Sequence, residues 1–296
     1  MSKLDHGVLR TTRRTLLLGS LTTLAAATLP TDDAVVIDLT DGLCVVPVLL
    51  DGRVARMVLD TGAERTVVTR AAARAFNLRR DPWVDTPMVG AGGLVETHPN
   101  VDVGSASLGG VALFQSLPGR ALSLAVTDQP LGMADGLLGA DMLRHHMLEL
   151  DMPKARLMLR PAGAAPPAGS SVRLQPWAQG LLLAPIRVDG GELTALVDTG
   201  ASRTLVNARG LYKLGINPAD DPRGAIVTTA GLGGRFQARM HGFATLQLGR
   251  LVVRDPLLLT AAIPEAAFDV ILGLDILGKQ NLRLSYAALR LGLGAA

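Results

Sequence analysis

Cysteine is almost missing from this 296-residue chain: Cys44 stands alone, so no disulfide can form within it. Its surroundings, LCVVPVLL, form an apolar strand-like run, which makes Cys44 a small buried hydrophobe. Aromatic residues are scarce too, at 3%, so the core must be built from Leu, Val, Ala and Met. Two tryptophans are too few for the sugar platform that a two-carboxylate glycosidase needs. The histidines at 6, 98, 145, 146 and 241 show no ligand spacing with cysteine or carboxylate, and neither a metal nor a cofactor is expected. The glycine clusters lack the P-loop lysine and the full G-x-G-x-x-G context, which removes nucleotide loops. Beyond the N-terminal segment, no apolar stretch runs to membrane-spanning length without a charge, proline or turn residue.

That segment, TTRRTLLLGSLTTLAAATLP, has a basic patch, an uncharged run and small residues around Ala25–Ala27. Residues 1–27 therefore read as an export signal, and Arg13-Arg14 followed by Leu16 and Leu17 resembles a twin-arginine signal. An ordinary secretory signal is the plainer alternative, and a retained N-terminal anchor is the third. The expected location is the periplasm or the exterior. Removing Lys3, Arg10, Arg13, Arg14 and Asp5 from totals of 29 basic and 26 acidic residues leaves 25 of each. The basic pI thus belongs to the signal, and no nucleic-acid partner is expected.

The chain repeats itself. MVLDTGAERTVV at Met57–Val68 returns as ALVDTGASRTLV at Ala195–Val206. Each copy is followed by a helix-like stretch, TRAAARAFNL or NARGLYKLGI, and then by a glycine cluster, GAGG at Gly90–Gly93 or GLGG at Gly231–Gly234. GLLGADML (Gly136–Leu143) matches VILGLDIL (Val270–Leu277), and each copy closes on alternating apolar residues. Four landmarks in one order make a duplication. RPAGAAPPAGSS lies between the copies and reads as a linker. The expected organisation is a lobe over 34–160, a linker over 161–175 and a second lobe over 176–296. Short β-branched or Leu-rich runs punctuated by glycine predict an all-β fold with one or two short helices per lobe.

In each copy an apolar strand runs into an aspartate and a Thr-Gly turn. If the lobes face each other about a pseudo-twofold axis, Asp60 and Asp198 meet. Two carboxylates that close share one proton. The ionised member takes a proton from water while the other donates to a carbonyl oxygen, so water attacks an amide without a metal or a covalent intermediate.

D-T-G with apolar flanks, the glycine-rich segment and the later Gly-x-Asp-x-Leu segment resemble the aspartic protease superfamily. The retropepsin-like branch is the nearer one, since Ala63 and Ala201 follow the two D-T-G triplets. The resemblance spans residues 35–293 and implies an acid-protease fold of two retropepsin-like lobes acting as an endopeptidase, and with both lobes in one chain a monomer is expected. It makes Asp60 and Asp198 the catalytic dyad. Thr61 and Thr199 would bond across the lobe interface, and Gly62 and Gly200 would offer backbone groups to substrate. Gly92, Gly93, Gly233 and Gly234 would lie in two flaps over an extended peptide. The chain departs from the pattern in two ways. Both halves lie in one polypeptide, as in pepsins, yet neither lobe has the pepsin hydroxyl after D-T-G or a flap tyrosine, Tyr212 and Tyr286 both lying elsewhere. Without that hydroxyl the dyad should be less acidic, giving a mildly acidic pH optimum.

Other repeated residues carry plainer readings. Asp141 and Asp275 are expected to cap short helices. Arg65 and Arg203 are expected in salt bridges or surface hydrogen bonds. The rival to catalysis is a module that kept the fold and binds peptide without cutting it.

Overall fold

The computed structural model describes residues 34–39, 42–89, 95–117, 121–129, 131–164, 171–217, 224–231, 234–262 and 267–294. The expected export signal, residues 1–27, lies outside them. Among the described residues the chain is almost wholly β, with four helices of four to six residues each.

Short strands form because β-branched and leucine runs are cut by turn residues every few positions. Asp51-Gly52 and Asp189-Gly190 show the mechanism. All four residues have positive φ, and they join Val45–Leu50 to Arg53–Leu59 and Leu181–Val188 to Gly191–Val197 in antiparallel hairpins. This is a primed two-residue turn, whose twist matches that of the strands. The helix-like stretches become Arg70–Ala75, capped by the Thr69 hydroxyl, and Ala208–Lys213, capped by the Asn207 side chain.

Each lobe has one sheet of its own, and the strand order is the same in both. The first runs from the edge hairpin Arg79–Val89/Val95–Val103 through Leu122–Thr127, Val67–Thr69, Gly136–Leu138, Arg53–Leu59 and Val45–Leu50 to Ser105–Leu108 and Val111–Gln115. The second runs from Ala225–Gly231/Gly234–Gly242 through Leu257–Ala261, Leu205–Asn207, Val270–Leu272, Gly191–Val197 and Leu181–Val188 to Thr245–Leu248 and Leu251–Arg254. The second lobe adds Gln175–Trp177, paired with Leu181–Leu183.

At the centre of each lobe a three-residue strand lies between the strand that enters the aspartate loop and the one that leaves it. Gly136–Leu138 pairs parallel with Met57–Leu59 and antiparallel with Val67 and Val68. Val270–Leu272 does the same with Ala195–Val197 and with Leu205 and Val206. Alternation gives way to continuous burial there: Arg53–Leu59 is exposed at its start, but Met57, Val58 and Leu59 are all buried. Both faces of the sheet are covered at that point.

A third, six-stranded sheet joins the lobes. His146–Asp151 from the first lobe pairs antiparallel with Asn281–Ser285 from the second, flanked by Arg156–Pro161 and Arg290–Gly294. Its edges are Val35–Val36 and Ser171–Arg173. The stretch expected as linker therefore contributes its ends to sheets, Pro161 and Ser171–Arg173 to this one and Gln175 to the sheet of the second lobe. Residues 165–170 of that stretch lie outside the described residues. The buried leucines 148, 150, 157, 282, 284 and 291 of this sheet belong to a single apolar core that runs through both lobes.

Glu149 and Arg283 hold equivalent places in the two copies, eight residues past Asp141 and Asp275, and they pair directly with each other across the lobe boundary. The pseudo-twofold axis thus passes between them. Arg283 Nε lies 3.4 Å from Glu149 Oε1, and Arg160 Nε donates to Glu149 Oε2 at 3.1 Å. Glu149→Arg would set like charges opposite each other at the axis, where such pairs are destabilising. We expect a loss of about 1 kcal/mol, a fall in melting temperature of a few degrees, with Glu149→Arg/Arg283→Glu recovering part of it. Equal losses in the single and double variants by thermal unfolding would mean that the axis pair is not coupled.

Candidate active site

Asp60 and Asp198 stand at the ends of Arg53–Leu59 and Gly191–Val197, and each is fixed to the short strand beside it. The Asp60 N–H donates to Leu138 O at 3.0 Å and the Asp198 N–H to Leu272 O at 3.1 Å. The chain then turns back over its own carboxylate. Gly62 N–H donates to Asp60 Oδ1 at 2.9 Å. Gly200 and Ala201 N–H donate to Asp198 Oδ1 at 2.8 and 3.1 Å. Each carboxylate is held by its own loop.

Thr61 and Thr199 tie the two loops together. The Thr61 hydroxyl donates to Val197 O at 2.8 Å and accepts the Thr199 N–H at 3.1 Å. The Thr199 hydroxyl donates to Leu59 O at 2.7 Å and accepts the Thr61 N–H at 3.1 Å. Each side chain thus bonds across the lobe boundary to the carbonyl just before the opposite aspartate. Both threonines are 2% exposed, so these bonds face no competition from bulk water.

Gly62 and Gly200 define the approach of the two halves. A Cβ on Gly62 would lie 2.3 Å from the carboxyl carbon of Asp198, and one on Gly200 would lie 2.3 Å from that of Asp60. Each carboxyl group therefore rests against the opposite loop's glycine. Neither glycine has positive φ. Close approach, rather than the unusual backbone angle expected of a Thr-Gly turn, makes glycine necessary here.

The carboxyl groups are hydrogen-bonded to each other and titrate as a pair. Burial pushes Asp60 well above the usual carboxylate range, and the negative charge of Asp198 pushes it further, against the pull of the Gly62 N–H. Burial also raises Asp198, countered by the N–H groups of Gly200 and Ala201 and by the bond from Asp60. With both carboxyls raised and each acting on the other, the pair shares one proton, one member charged and the other protonated.

Asp141 and Asp275 do something other than cap helices. The caps are Gly139 and Gly273, and neither makes a side-chain cap bond. Asp141 Oδ1 instead accepts from the Thr66 N–H at 2.9 Å and its hydroxyl at 2.7 Å, and Thr66 Oγ1 accepts the Gly139 N–H at 3.0 Å. Asp275, Thr204 and Gly273 repeat the pattern at 2.9, 2.6 and 3.0 Å. These bonds clamp the far end of each aspartate loop. Thr66 and Thr204 were not singled out from sequence, although their place in the repeated x-R-T was the available signal. Arg65 and Arg203, expected in salt bridges or surface bonds, make neither among the described residues; both are exposed. Tyr286, buried with its phenol oxygen unpaired among the described residues, keeps its proton well past the ordinary range. Burial is the main cause, followed by the Asp60 and Asp141 charges.

Both lobes keep an edge hairpin where a flap was expected. Gly234 opens the returning strand of the second with φ +105°, while Gly92, Gly93 and Gly233 lie outside the described residues. Two small apolar clusters sit apart from the main core on the hairpin side of each aspartate loop. One holds Val58, Val67 and Leu137 with Met88 against it, and the other Leu205, Ala238 and Leu259 with Ile271 against it.

Comparison with known families places each lobe separately. Residues 46–142 match the family model described as aspartyl protease, and residues 184–279 match gag-polyprotein putative aspartyl protease. A search of curated proteins found no match. Among solved structures, the chain is similar to the aspartic proteinase from Irpex lacteus, at 13% identity and a TM-score of 0.54 over 89% of this chain and 97% of that one. At that identity the likeness speaks for the fold, which is bilobal and all-β in agreement with the sequence expectation.

Two outcomes follow for stability. Thr199→Val removes one donated and one accepted bond across the lobes and leaves buried groups unpaired, so a loss of about 2–4 kcal/mol is expected in denaturant unfolding. A carboxyl whose folded pKa is raised stabilises fully below its unfolded pKa, and that contribution is lost as pH rises through the folded value. Asp60→Asn should therefore melt above the parent chain at neutral pH, the gap closing toward about pH 4. A gap that stayed constant across pH would mean that Asp60 is not raised.

Proposed function

The chain is a retropepsin-like aspartic protease by family, two lobes in one polypeptide, and on that premise we propose that it is an endopeptidase hydrolysing peptide bonds with water held between Asp60 and Asp198. The observation that carries the reading is the mutual seating of each carboxyl group against the opposite loop's glycine. A charged and a protonated carboxyl side by side can act on one water and one carbonyl together.

In this mechanism the Asp198 carboxylate takes a proton from the water as its oxygen bonds to the carbonyl carbon of the scissile amide. Asp60 gives its proton to the carbonyl oxygen, forming a neutral gem-diol. The carboxyl of Asp198, now protonated, then delivers its proton to the amide nitrogen. The C–N bond breaks, and a hydroxyl proton returns to Asp60. The substrate lies extended beneath the two edge hairpins, which pair with its main chain. The apolar clusters beside each loop favour Leu, Val or Met at the scissile bond. Residues 1–27 act as an export signal, so that the enzyme works in the periplasm or outside the cell.

The pair must hold one proton, so the rate falls when it gains a second at low pH and when it loses its last at high pH. Raised values move this bell toward mild acidity. Residues 28–296, given an unfolded-protein or peptide mixture across a pH series, should cleave at apolar sites with an optimum only mildly acidic. Asp60→Asn and Asp198→Asn should each lower kcat at least about a hundredfold. A folded parent chain that cuts nothing at any pH would replace this reading with peptide binding alone.

A further inference from the structure

Arg65 and Arg203 occupy equivalent places, five residues past Asp60 and Asp198. Their backbones are pinned inward. A Cβ on Gly139 would lie 2.5 Å from the Arg65 carbonyl carbon, and one on Gly273 would lie 2.7 Å from that of Arg203. The loop on either side is clamped as well: Ala63 O accepts Ala140 N–H and Glu64 O accepts Asp141 N–H, while Ala201 O accepts Leu274 N–H. With the backbone fixed, both arginine side chains leave toward solvent and are exposed. Many arginines of this protein are engaged: Arg56 with Asp38, Arg79 with Asp102, Arg80 with Asp85 and Arg187 with Glu192. Arg65 and Arg203 have no ion-pair partner among the described residues. They are repeated charges that hold nothing in the fold together.

Their position suggests a use. They follow the dyad aspartates on the same two loops, one in each lobe. Five residues of chain span at most about 17 Å, and an extended peptide advances about 3.3 Å per residue. Each arginine is thus confined to within about five substrate residues of the scissile bond. The two sides are unequal: half-buried Glu64 precedes Arg65, while Ser202 precedes Arg203. The neighbouring carboxylate offsets part of the field of Arg65, and that of Arg203 stands alone.

We propose that Arg65 and Arg203 are specificity-determining residues that favour substrates carrying carboxylate side chains on both flanks of the scissile bond, Arg203 acting more strongly than Arg65. The proposal rests on the endopeptidase reading for its effect on rate, and on the peptide-binding geometry alone for its effect on affinity. It predicts an acidic preference outside the apolar centre of the substrate, weakening as salt screens it.

The test uses one set of fluorogenic peptides with a fixed apolar pair at the scissile bond and Glu, Gln or Lys placed on either flank. A matching set carries a reduced, non-cleavable bond for binding by anisotropy. In the parent chain Glu should exceed Lys in kcat/KM by about two- to fivefold per flank at low salt, with the margin shrinking at high salt. Arg203→Glu should reverse the order at one flank. Arg65→Glu should do so less strongly at the other. Equal rates for Glu, Gln and Lys in the parent would overturn the proposal while leaving the endopeptidase reading intact. If no peptide is cut, the analogues decide: tighter binding of Glu analogues, reversed in Arg203→Glu, upholds it, and equal or absent binding overturns it.

Discussion

Two threonine hydroxyls hold the functional centre together. Thr61 and Thr199 each bond to the carbonyl immediately before the opposite aspartate, from a position fully shielded from water. Everything at the site follows from that exchange. It brings the two loops to the separation at which each carboxyl group lies on the other loop's glycine, and that separation forces the two acids to share a proton. Hydrogen bonds between buried neutral groups are modest in net worth, but losing one leaves a desolvated carbonyl or N–H behind. The arrangement therefore resists sliding even though no charge pair secures it.

The rest of each lobe keeps the loops from moving independently. At its start, each loop is bonded to the short central strand through the aspartate N–H. At its end, Asp141 or Asp275 accepts two bonds from Thr66 or Thr204. Between these clamps lie only a few residues, including the unpaired arginine. The carboxylates of Asp141 and Asp275 are structural acids, while those of Asp60 and Asp198 sit where burial and mutual repulsion make ionising both costly. Four repeated aspartates thus divide into two kinds by environment.

Duplication explains the symmetry, and divergence after it explains the departures. Glu149 and Arg283 were the same position in two copies. Facing each other at the axis, they now carry opposite charges, which suits pairing of unlike lobes and disfavours pairing of like ones. Glu64 in the place of Ser202, and Tyr286 in the place of Met152, mark the same drift. The single chain is free to make its two halves chemically different, as an assembly of identical chains is not.

The duplication, the β class, the dyad and the cross-lobe threonines were legible because each is written in local sequence and then written again in the second copy. The Asp-Gly turns at 51 and 189 were not singled out from sequence, although their backbone angles are set by two adjacent residues. What tertiary structure alone decided was partnership. Asp141 beside a short helix has the local look of a cap, and only the folded loop brings Thr66 to it. Arg65 has the look of a salt-bridge residue, and only the fold leaves it without an acid among the described residues. Gly62 has the look of a turn residue, and only the meeting of the lobes shows that a carboxyl group occupies the space its missing side chain leaves. A sequence determines its local angles and its alternation through neighbouring atoms. Contacts between residues 138 positions apart depend on two sheets closing on each other, and no local interaction specifies what they will meet.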